Sequence, residues 1–542
     1  MPPVNAQLDF SGVVTQLFSS KSDIAVLQKI SNENWQTFLE LAKAEKLCND
    51  LKGQVQNALV ILTHRFVTLG IDPYIVKKLP KVDDYQSPFF RLNLLMSEFM
   101  EGRSSKESVS INLKECEEVF TFLKNNGHVT GISLNLTFLI RRAEQHIRRL
   151  EMLMDIHAAE GYEEKKKRIP KLVSTLVACE IGSNSIRNFF NENTDLLANR
   201  IASQTSGKGS KYIGFTKKEN VKLLWSAMGG GLVVVFLVYI KHFIHRLHLP
   251  LLPEGILYGL NYGIGFVLMH LWHLTLATKQ PAMTASFIAE HVESGLAEKQ
   301  PSGKLSQMMA QIVRSQFISL LGNLMVVLPL NFLSAWLLIK LFDVRLFSFR
   351  ESLDHIVSNH PYYSGSLLFA FVTGIFLTMA GIIQGYYDNK VVFSQIPERI
   401  EQHPFLLKLF SVKRLNVLSA FIRKNLGAIV GSLMLGFFLG STGNFGKFIG
   451  IPVDIRHVTI SSGNFAIAVA HGYLIPKGFY IMTFAGILFI GLINILSSFI
   501  LSFYIACRSR YIHNRQITLV LLRMLRDILV NPGILFVNKE KS

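Results

Sequence analysis

Three histidines at three-residue spacing form the densest group of potential metal ligands in this sequence. His242, His245 and His248 lie in the stretch KHFIHRLHLP. Imidazoles three residues apart share one face of a helix, so this group could bind a metal ion or a haem. The alternative is an interfacial turn whose histidines face lipid headgroups, because no Cys or carboxylate joins the group within the stretch. The sequence therefore leaves the metal open and assigns no cofactor.

Polar side chains also interrupt residues 255–281, a stretch that is otherwise apolar enough to cross a membrane. They are Asn261, His270 and His273. At membrane depth such side chains usually face protein or a water-filled cavity. These three either line a polar path or form hydrogen bonds to amides on other helices. The candidate partners are Asn323, Asn331 and Asn494. The stretch ends in Thr278, Lys279, Gln280 and Pro281.

Charge and hydropathy show which elements must position these residues. The chain has 542 residues, 49% of them hydrophobic, and a formal net charge of +18. Residues 1–220 hold 29 Lys and Arg against 25 Asp and Glu, which leaves 27 basic and 13 acidic residues for 221–542. The excess of positive charge therefore belongs to the apolar half, where short cytoplasmic loops collect Lys and Arg. Membrane topology explains this charge better than nucleic-acid binding does.

The periodicity predicts an all-α protein with a soluble helical domain at residues 1–215 and a membrane domain at 216–507. Spans are expected at about 221–240, 255–277, 317–339, 364–384, 425–441 and 479–506. Residues 458–474 are too polar for a clear span and form either a re-entrant segment or a seventh helix. Residues 508–542 form a basic tail.

The distribution of basic residues orients the spans. The loops after the second and fourth spans and the tail hold 4, 7 and 7 Lys or Arg, against 2, 3 and 3 in the other loops. We therefore expect a bacterial inner-membrane protein in contact with the lipid bilayer, with both termini in the cytoplasm.

Four stretches carry a resemblance to a known family. They are residues 185–213 (SIRNFFNENTDLLANRIASQTSGKGSKYI), 261–271 (NYGIGFVLMHL), 275–283 (TLATKQPAM) and 450–464 (GIPVDIRHVTISSGN). The chain resembles the bacterial membrane-protein family named site-specific recombinase, the gonococcal recombinase (Gcr) type. The resemblance covers nearly the whole chain and implies a membrane location, but it brings no catalytic motif with it.

The chemistry that the family name implies is weakly represented in the sequence. A tyrosine recombinase needs a nucleophilic Tyr together with basic groups that stabilise charge on phosphorus. The chain contains H-x-x-R at His146–Arg149 with Tyr162 downstream. However, the pattern is short and lies on a long amphipathic helix, and the Tyr follows too closely. A structural role is the better interpretation.

Three functional hypotheses follow. The first is a membrane scaffold or regulatory protein without recombinase chemistry, whose helical domain binds a protein partner or a second copy of the chain. The second is a membrane-tethered DNA recombinase. The third is a channel or carrier lined by His270 and His273.

Overall fold

The structure, a computed structural model, describes residues 13–14, 17–18, 21–42, 44–76, 79, 87–125, 134–183, 216–276, 284–285, 287–292, 303–510, 512 and 514–531. Every regular element within them is a helix, which confirms the all-α class. The chain forms two compact units, Met1–Leu196 and Leu197–Ser542. The predicted domain boundary at residue 215 borders residues 184–215, which lie outside the described part.

The first unit is a helical domain with its own apolar core. Its helices are α1 (Lys21–Lys29), α2 (Asn32–Leu41), α3 (Ala44–Gly70), α4 (Pro73–Val76), α5 (Pro88–Met100), α6 (Lys106–Asn125), α7 (Leu134–His157) and α8 (Gly161–Ser183). Phe66, Phe89 and Phe120 from α3, α5 and α6 meet with ring centroids 5.5–5.9 Å apart. Such tilted aromatic contacts are favourable and give the core a defined geometry.

The second unit holds six helices that are long and apolar enough to cross a membrane. Its helices are α9 (Lys217–His245), α10 (Leu251–Leu271), α11 (Gly303–Phe342), α12 (Phe349–Val357), α13 (Ser366–Phe393), α14 (Ile396–Glu401), α15 (Pro404–Leu409), α16 (Val412–Ile449), α17 (Val458–Ala470), α18 (Lys477–Arg508) and α19 (Asn514–Val530). The spanning helices are α9, α10, α11, α13, α16 and α18, so the chain is a polytopic membrane protein.

Most spanning helices extend beyond the predicted spans, since hydropathy detects only the part that lies in the hydrocarbon. The exception is α10, which ends at Leu271 instead of residue 277. The chain turns at His273, whose φ of 57° is in the left-handed region. His273 therefore lies after the helix rather than within a span. The predicted tail also contains a regular helix, α19, which buries Ile517.

Small residues allow α10 and α16 to pack closely in the centre of the bundle. A Cβ on Gly440 of α16 would lie 2.5 Å from the carbonyl of Tyr258, and one on Gly436 would overlap the backbone of Gly263. This is the close approach that glycines at four-residue spacing permit between membrane helices. Further contacts join α10 to α9, α9 to α11, α16 to α13 and α13 to α18, and the short helix α17 packs against both α11 and α18.

We name the face at which α9 begins the N-face, and the other the opposite face. On the opposite face Arg246, after α9, donates a hydrogen bond to the carbonyl of Arg345, after α11 (2.8 Å). Near the end of α16, Asn444 donates to the carbonyl of Leu251 at the start of α10 (3.1 Å). The ends of α9, α11 and α16 therefore share this face.

Candidate functional site

The segment between α16 and α18 enters the bundle from the opposite face and returns to it. After α16 ends at Ile449, the chain runs inward until the Val458 N–H donates to Oδ1 of Asn494 (3.2 Å), which lies in the middle of α18. Helix α17 then leads outward. At its end, Nε2 of His471 accepts a hydrogen bond from the Phe347 N–H (3.1 Å), which lies beyond the end of α11. Residues 450–471 therefore enter the bundle and leave it on the same face, and we call a stretch with this path a re-entrant segment.

A second segment enters from the N-face after α10 ends. The Thr275 N–H donates to the carbonyl of Ser226, ten residues into α9 (3.1 Å). The Thr275 carbonyl accepts from the amide of Asn323 in the middle of α11 (3.0 Å). Beyond a stretch outside the described residues, the helical residues 287–292 bury side chains in one cluster with Phe503 and Cys507. Because Cys507 lies at the N-face end of α18, this segment also returns to the face from which it came.

Two asparagines hold the two segments in the same way. Asn323 on α11 donates to the carbonyls of Ala227 on α9 (2.7 Å) and Thr275 (3.0 Å). Asn494 on α18 donates to the carbonyls of Ala370 on α13 (2.9 Å) and Arg456 (3.0 Å). Each asparagine thus joins a spanning helix to the inward-running part of a re-entrant segment. The matching contacts identify an internal repeat: α9, α10, the N-face segment and α11, followed by α13, α16, α17 and α18.

Glycines at matching positions support the repeat. Gly231 lies four residues after Ala227, and Gly374 lies four residues after Ala370. A Cβ on Gly231 would be 2.8 Å from the carbonyl oxygen of Asn323, while one on Gly374 would overlap Ser497, three residues after Asn494. Both glycines therefore bring the first helix of a repeat against its last. Since each repeat has three spanning helices, the second repeat is inverted across the membrane.

Helix α17 is short, buried and unusually polar for the centre of a membrane bundle. Ten of its 13 residues are buried, and four of those carry polar side chains: Thr459, Ser461, Ser462 and Asn464. The Thr459 hydroxyl donates to Oδ1 of Asn323 (3.4 Å). Gly463 faces Asn331 and Val238, with the Asn331 Nδ2 3.3 Å from where a Cβ would be. Hydroxyl and amide groups thus line the junction of α9, α11 and α17.

A chamber of about 330 Å³ lies on the opposite face, lined by residues that include His242, His245, Arg345, Glu351 and Tyr473. His245 contacts the carboxylates of Glu254 (2.8 Å) and Glu351 (4.0 Å). Burial acts to raise the pKa of Glu351, but its hydrogen bonds with Ser348 hold that pKa below the usual value.

Beneath the chamber, aromatic and imidazole rings surround Phe347. The ring centroids of His242, His355 and His471 lie 4.4, 4.6 and 5.7 Å from that of Phe347. Burial, together with the neighbouring His242 and Lys241, lowers the pKa of His355 to about 3, so its ring is neutral. The rings packed on Phe347 form a compact layer between the chamber and the outer end of α17.

The polar residues predicted in the second span do not meet in one cavity. His270 contacts Oδ1 of Asn425 on α16 through Nε2 (3.2 Å), and Asn261 donates to the carbonyl of Leu237 on α9 (2.9 Å). His273 is exposed, in the turn after α10. Their hydrogen bonds join α10 to its neighbours. By contrast, the other predicted amides, Asn323, Asn331 and Asn494, all converge on α17.

The side chains of the three histidines at three-residue spacing do not meet at one site either. His242 packs on Phe347, His245 contacts Glu254, and His248 lies in an exposed turn at a φ of 46°. Within the described residues, no three His, Cys, Asp or Glu side chains are grouped so that they could hold a metal ion.

No sequence pattern pointed to the carbonyls of Thr275 and Arg456, the acceptors that hold the two segments. The nearest signal was the polar stretch 458–474. Two of the stretches that carry the family resemblance, 275–283 and 450–464, include these carbonyls. Residues 185–213 lie outside the part of the chain that the structure describes. Thr278, Lys279, Gln280 and Pro281 also lie outside it.

Comparison with known proteins finds one family model, described as site-specific recombinase, that matches residues 1–537. No curated protein and no solved structure matches the chain.

Proposed function

Because a model of that family matches residues 1–537, the chain belongs to the site-specific recombinase family, and we propose that its membrane unit carries a small solute across the membrane. One observation carries the proposal. Two re-entrant segments enter from opposite faces, and Asn323 and Asn494 hold them at mid-depth through matching hydrogen bonds.

Two such segments inside a membrane bundle cost free energy, and a passage for a solute would explain why the protein has them. Non-helical backbone at membrane depth is tolerated only where protein buries it or where it lines a cavity. In many transporters, inverted repeats bring discontinuous helices together near the middle of the bilayer, and the solute binds at the interface between the repeats. Here that position corresponds to the start of α17, between Asn323 and Asn494.

The distribution of basic residues extends the proposal to location and orientation. We place the protein in the bacterial inner membrane with its N-face and both termini in the cytoplasm, since the loops expected there hold 4, 7 and 7 basic residues. The chamber near His245 then opens away from the cytoplasm.

Recombination is disfavoured by the position of the H-x-x-R residues. His146 is only 4% exposed and belongs to the core side of α7, whereas Arg149 is exposed. Burial and neighbouring arginines lower the pKa of His146 to about 4. The His146 ring is thus buried in the core of the domain, where a phosphate of DNA does not reach it.

Cysteine accessibility tests the passage. Ser462→Cys is placed in a variant lacking the native cysteines and treated with a small membrane-impermeant thiol reagent in membrane vesicles. We expect labelling, because Ser462 lies on the polar wall of α17 although it is 0% exposed. Ser432→Cys is the matched control: Ser432 is also 0% exposed and, like Ser462, donates to its own helix, but it lies on α16. If the reagent labels neither cysteine from either face of the membrane, the proposal is contradicted.

A scaffold or regulatory role is the second candidate, and a groove in the first unit favours it. The groove measures about 690 Å³, and its lining includes Lys106, Arg148, Arg149, Glu151 and Asp155. Mixed charges around a concave surface suit a protein partner or a second copy of the chain. Reversing the charge of Arg148 and Arg149 should then lower self-association of the full-length protein in detergent. Steep salt-dependent DNA binding lost in the same variant would instead revive the recombinase hypothesis.

A further inference from the structure

Three polar atoms on neighbouring helices are buried and have no hydrogen-bond partner among the described residues. They are Oδ1 of Asn331 on α11, Oδ1 of Asn464 on α17 and Nε2 of His242 on α9. Asn331 is 0% and Asn464 8% exposed. Buried polar atoms nearly always have a partner, so three together need an explanation.

The three residues follow one line along α17. Asn331 faces Gly463, and the next residue, Asn464, lies beside the His242 side chain. His242 in turn contacts Phe347, beneath the chamber of the opposite face. The unpartnered atoms therefore lie between the start of α17 at mid-depth and the chamber, on the path that a solute would take.

The chemistry of this wall is that of a hydrogen-bond acceptor. The two amide oxygens can only accept, and Nε2 of His242 also accepts when the ring proton is on Nδ1. Three amides nearby use their donors within the protein: Asn331 donates to the carbonyl of Val327 (2.8 Å), and Asn323 and Asn494 each donate to two carbonyls. An anion that passes Asn331, Asn464 and His242 would meet acceptor atoms, which repel it.

Cations are disfavoured for a different reason. Helix α17 begins at mid-depth, so the positive end of its dipole points to the centre of the bundle. The positive ends of half-helices in a narrow pore repel cations.

We propose that Asn331, Asn464 and His242 form a selectivity site for small uncharged solutes that donate hydrogen bonds. The inference rests on the proposed solute passage and names its substrate class: molecules with N–H or O–H groups and no net charge. Such a solute satisfies the three acceptors in turn as it passes α17, whereas an ion loses its hydration without compensation.

The test uses full-length protein in liposomes, with influx followed by light scattering after a solute gradient is applied. The probes are urea and glycerol as uncharged donors, formate as an anion and potassium as a cation. We expect urea or glycerol to enter faster than into protein-free liposomes, while formate and potassium do not. Asn331→Leu with Asn464→Leu should slow this influx by about tenfold, as the loss of hydrogen bonds in transit predicts.

Asn261→Leu is the matched control, since it removes one half-buried amide that donates to the Leu237 carbonyl outside the acceptor line. Its influx should equal that of the unchanged protein. If the double variant does not fold, Asn464→Ala alone is measured, with a smaller decrease expected. Influx of formate or potassium without urea or glycerol would overturn the inference and leave the passage intact. If no probe enters and Ser462→Cys is also unreactive, both proposals fail.

Discussion

Replacing Asn323 or Asn494 by Leu tests whether the two re-entrant segments are held by equivalent interactions. Leu is close to Asn in size, so the substitutions remove hydrogen bonds without leaving a large cavity. Each variant loses two donated hydrogen bonds, one to a helical carbonyl and one to the carbonyl of Thr275 or Arg456, and one accepted from the start of α17. The last two carbonyls lie outside regular helices, so they lose a partner that their own helix cannot replace.

The expected loss of stability follows from these bonds. Hydrogen bonds between membrane helices contribute about 0.6 kcal/mol on average and up to about 1.7 kcal/mol, so three of them give roughly 2–5 kcal/mol. Asn323→Leu and Asn494→Leu should therefore destabilise the protein by similar amounts. Asn261→Leu removes a single hydrogen bond and should cost about a third as much.

The assay is the unfolding of purified full-length protein in mild detergent, followed by loss of helical circular dichroism on titration with a denaturing detergent. The three variants and the unchanged protein are compared under one set of conditions. A large loss for one of Asn323 and Asn494 with no loss for the other would refute the equivalence of the two segments. A larger loss of stability for Asn261→Leu than for Asn323→Leu and Asn494→Leu would also refute it.

Other predictions address packing, pH and topology. Gly440→Val should destabilise the bundle by about 1–3 kcal/mol or more, because a Cβ there would lie 2.5 Å from a backbone carbonyl of α10. Gly478→Ala, where a Cβ meets nothing within 4 Å, should leave the same unfolding midpoint unchanged. The pKa of His146 is about 4 in the folded protein against 6.5 for an ordinary histidine, so protonation of this ring favours the unfolded chain. The free energy of unfolding should therefore be highest above pH 6.5 and should decrease as the pH falls towards 4. His146→Leu should flatten that part of the pH–stability curve. Reporters fused at Arg246 and Lys408 should be external and cytoplasmic respectively; an external Lys408 would contradict the orientation.

The apolar runs of the second half were enough to predict six spanning helices, and the structure confirms them. Helix formation and membrane insertion depend on residues close together in sequence, so hydropathy and periodicity report them directly. The family, too, was recognisable from local stretches, and the match over residues 1–537 confirms it. The ends of the helices were less well predicted, since α10 stops at a turn inside an apolar run.

Which polar residues act together was decided by the tertiary structure. In the sequence, His270 and Asn331 are equivalent signals: single polar groups in apolar helices. Only the packing shows that His270 bonds to Asn425, whereas Asn331 faces α17 with an unpartnered oxygen. Asn323 and Asn494 are 171 positions apart, and their matching roles depend on carbonyls in two segments that turn back into the bundle. A hydrogen bond depends on distance and angle between atoms, and no local pattern of residue types specifies these across a folded bundle.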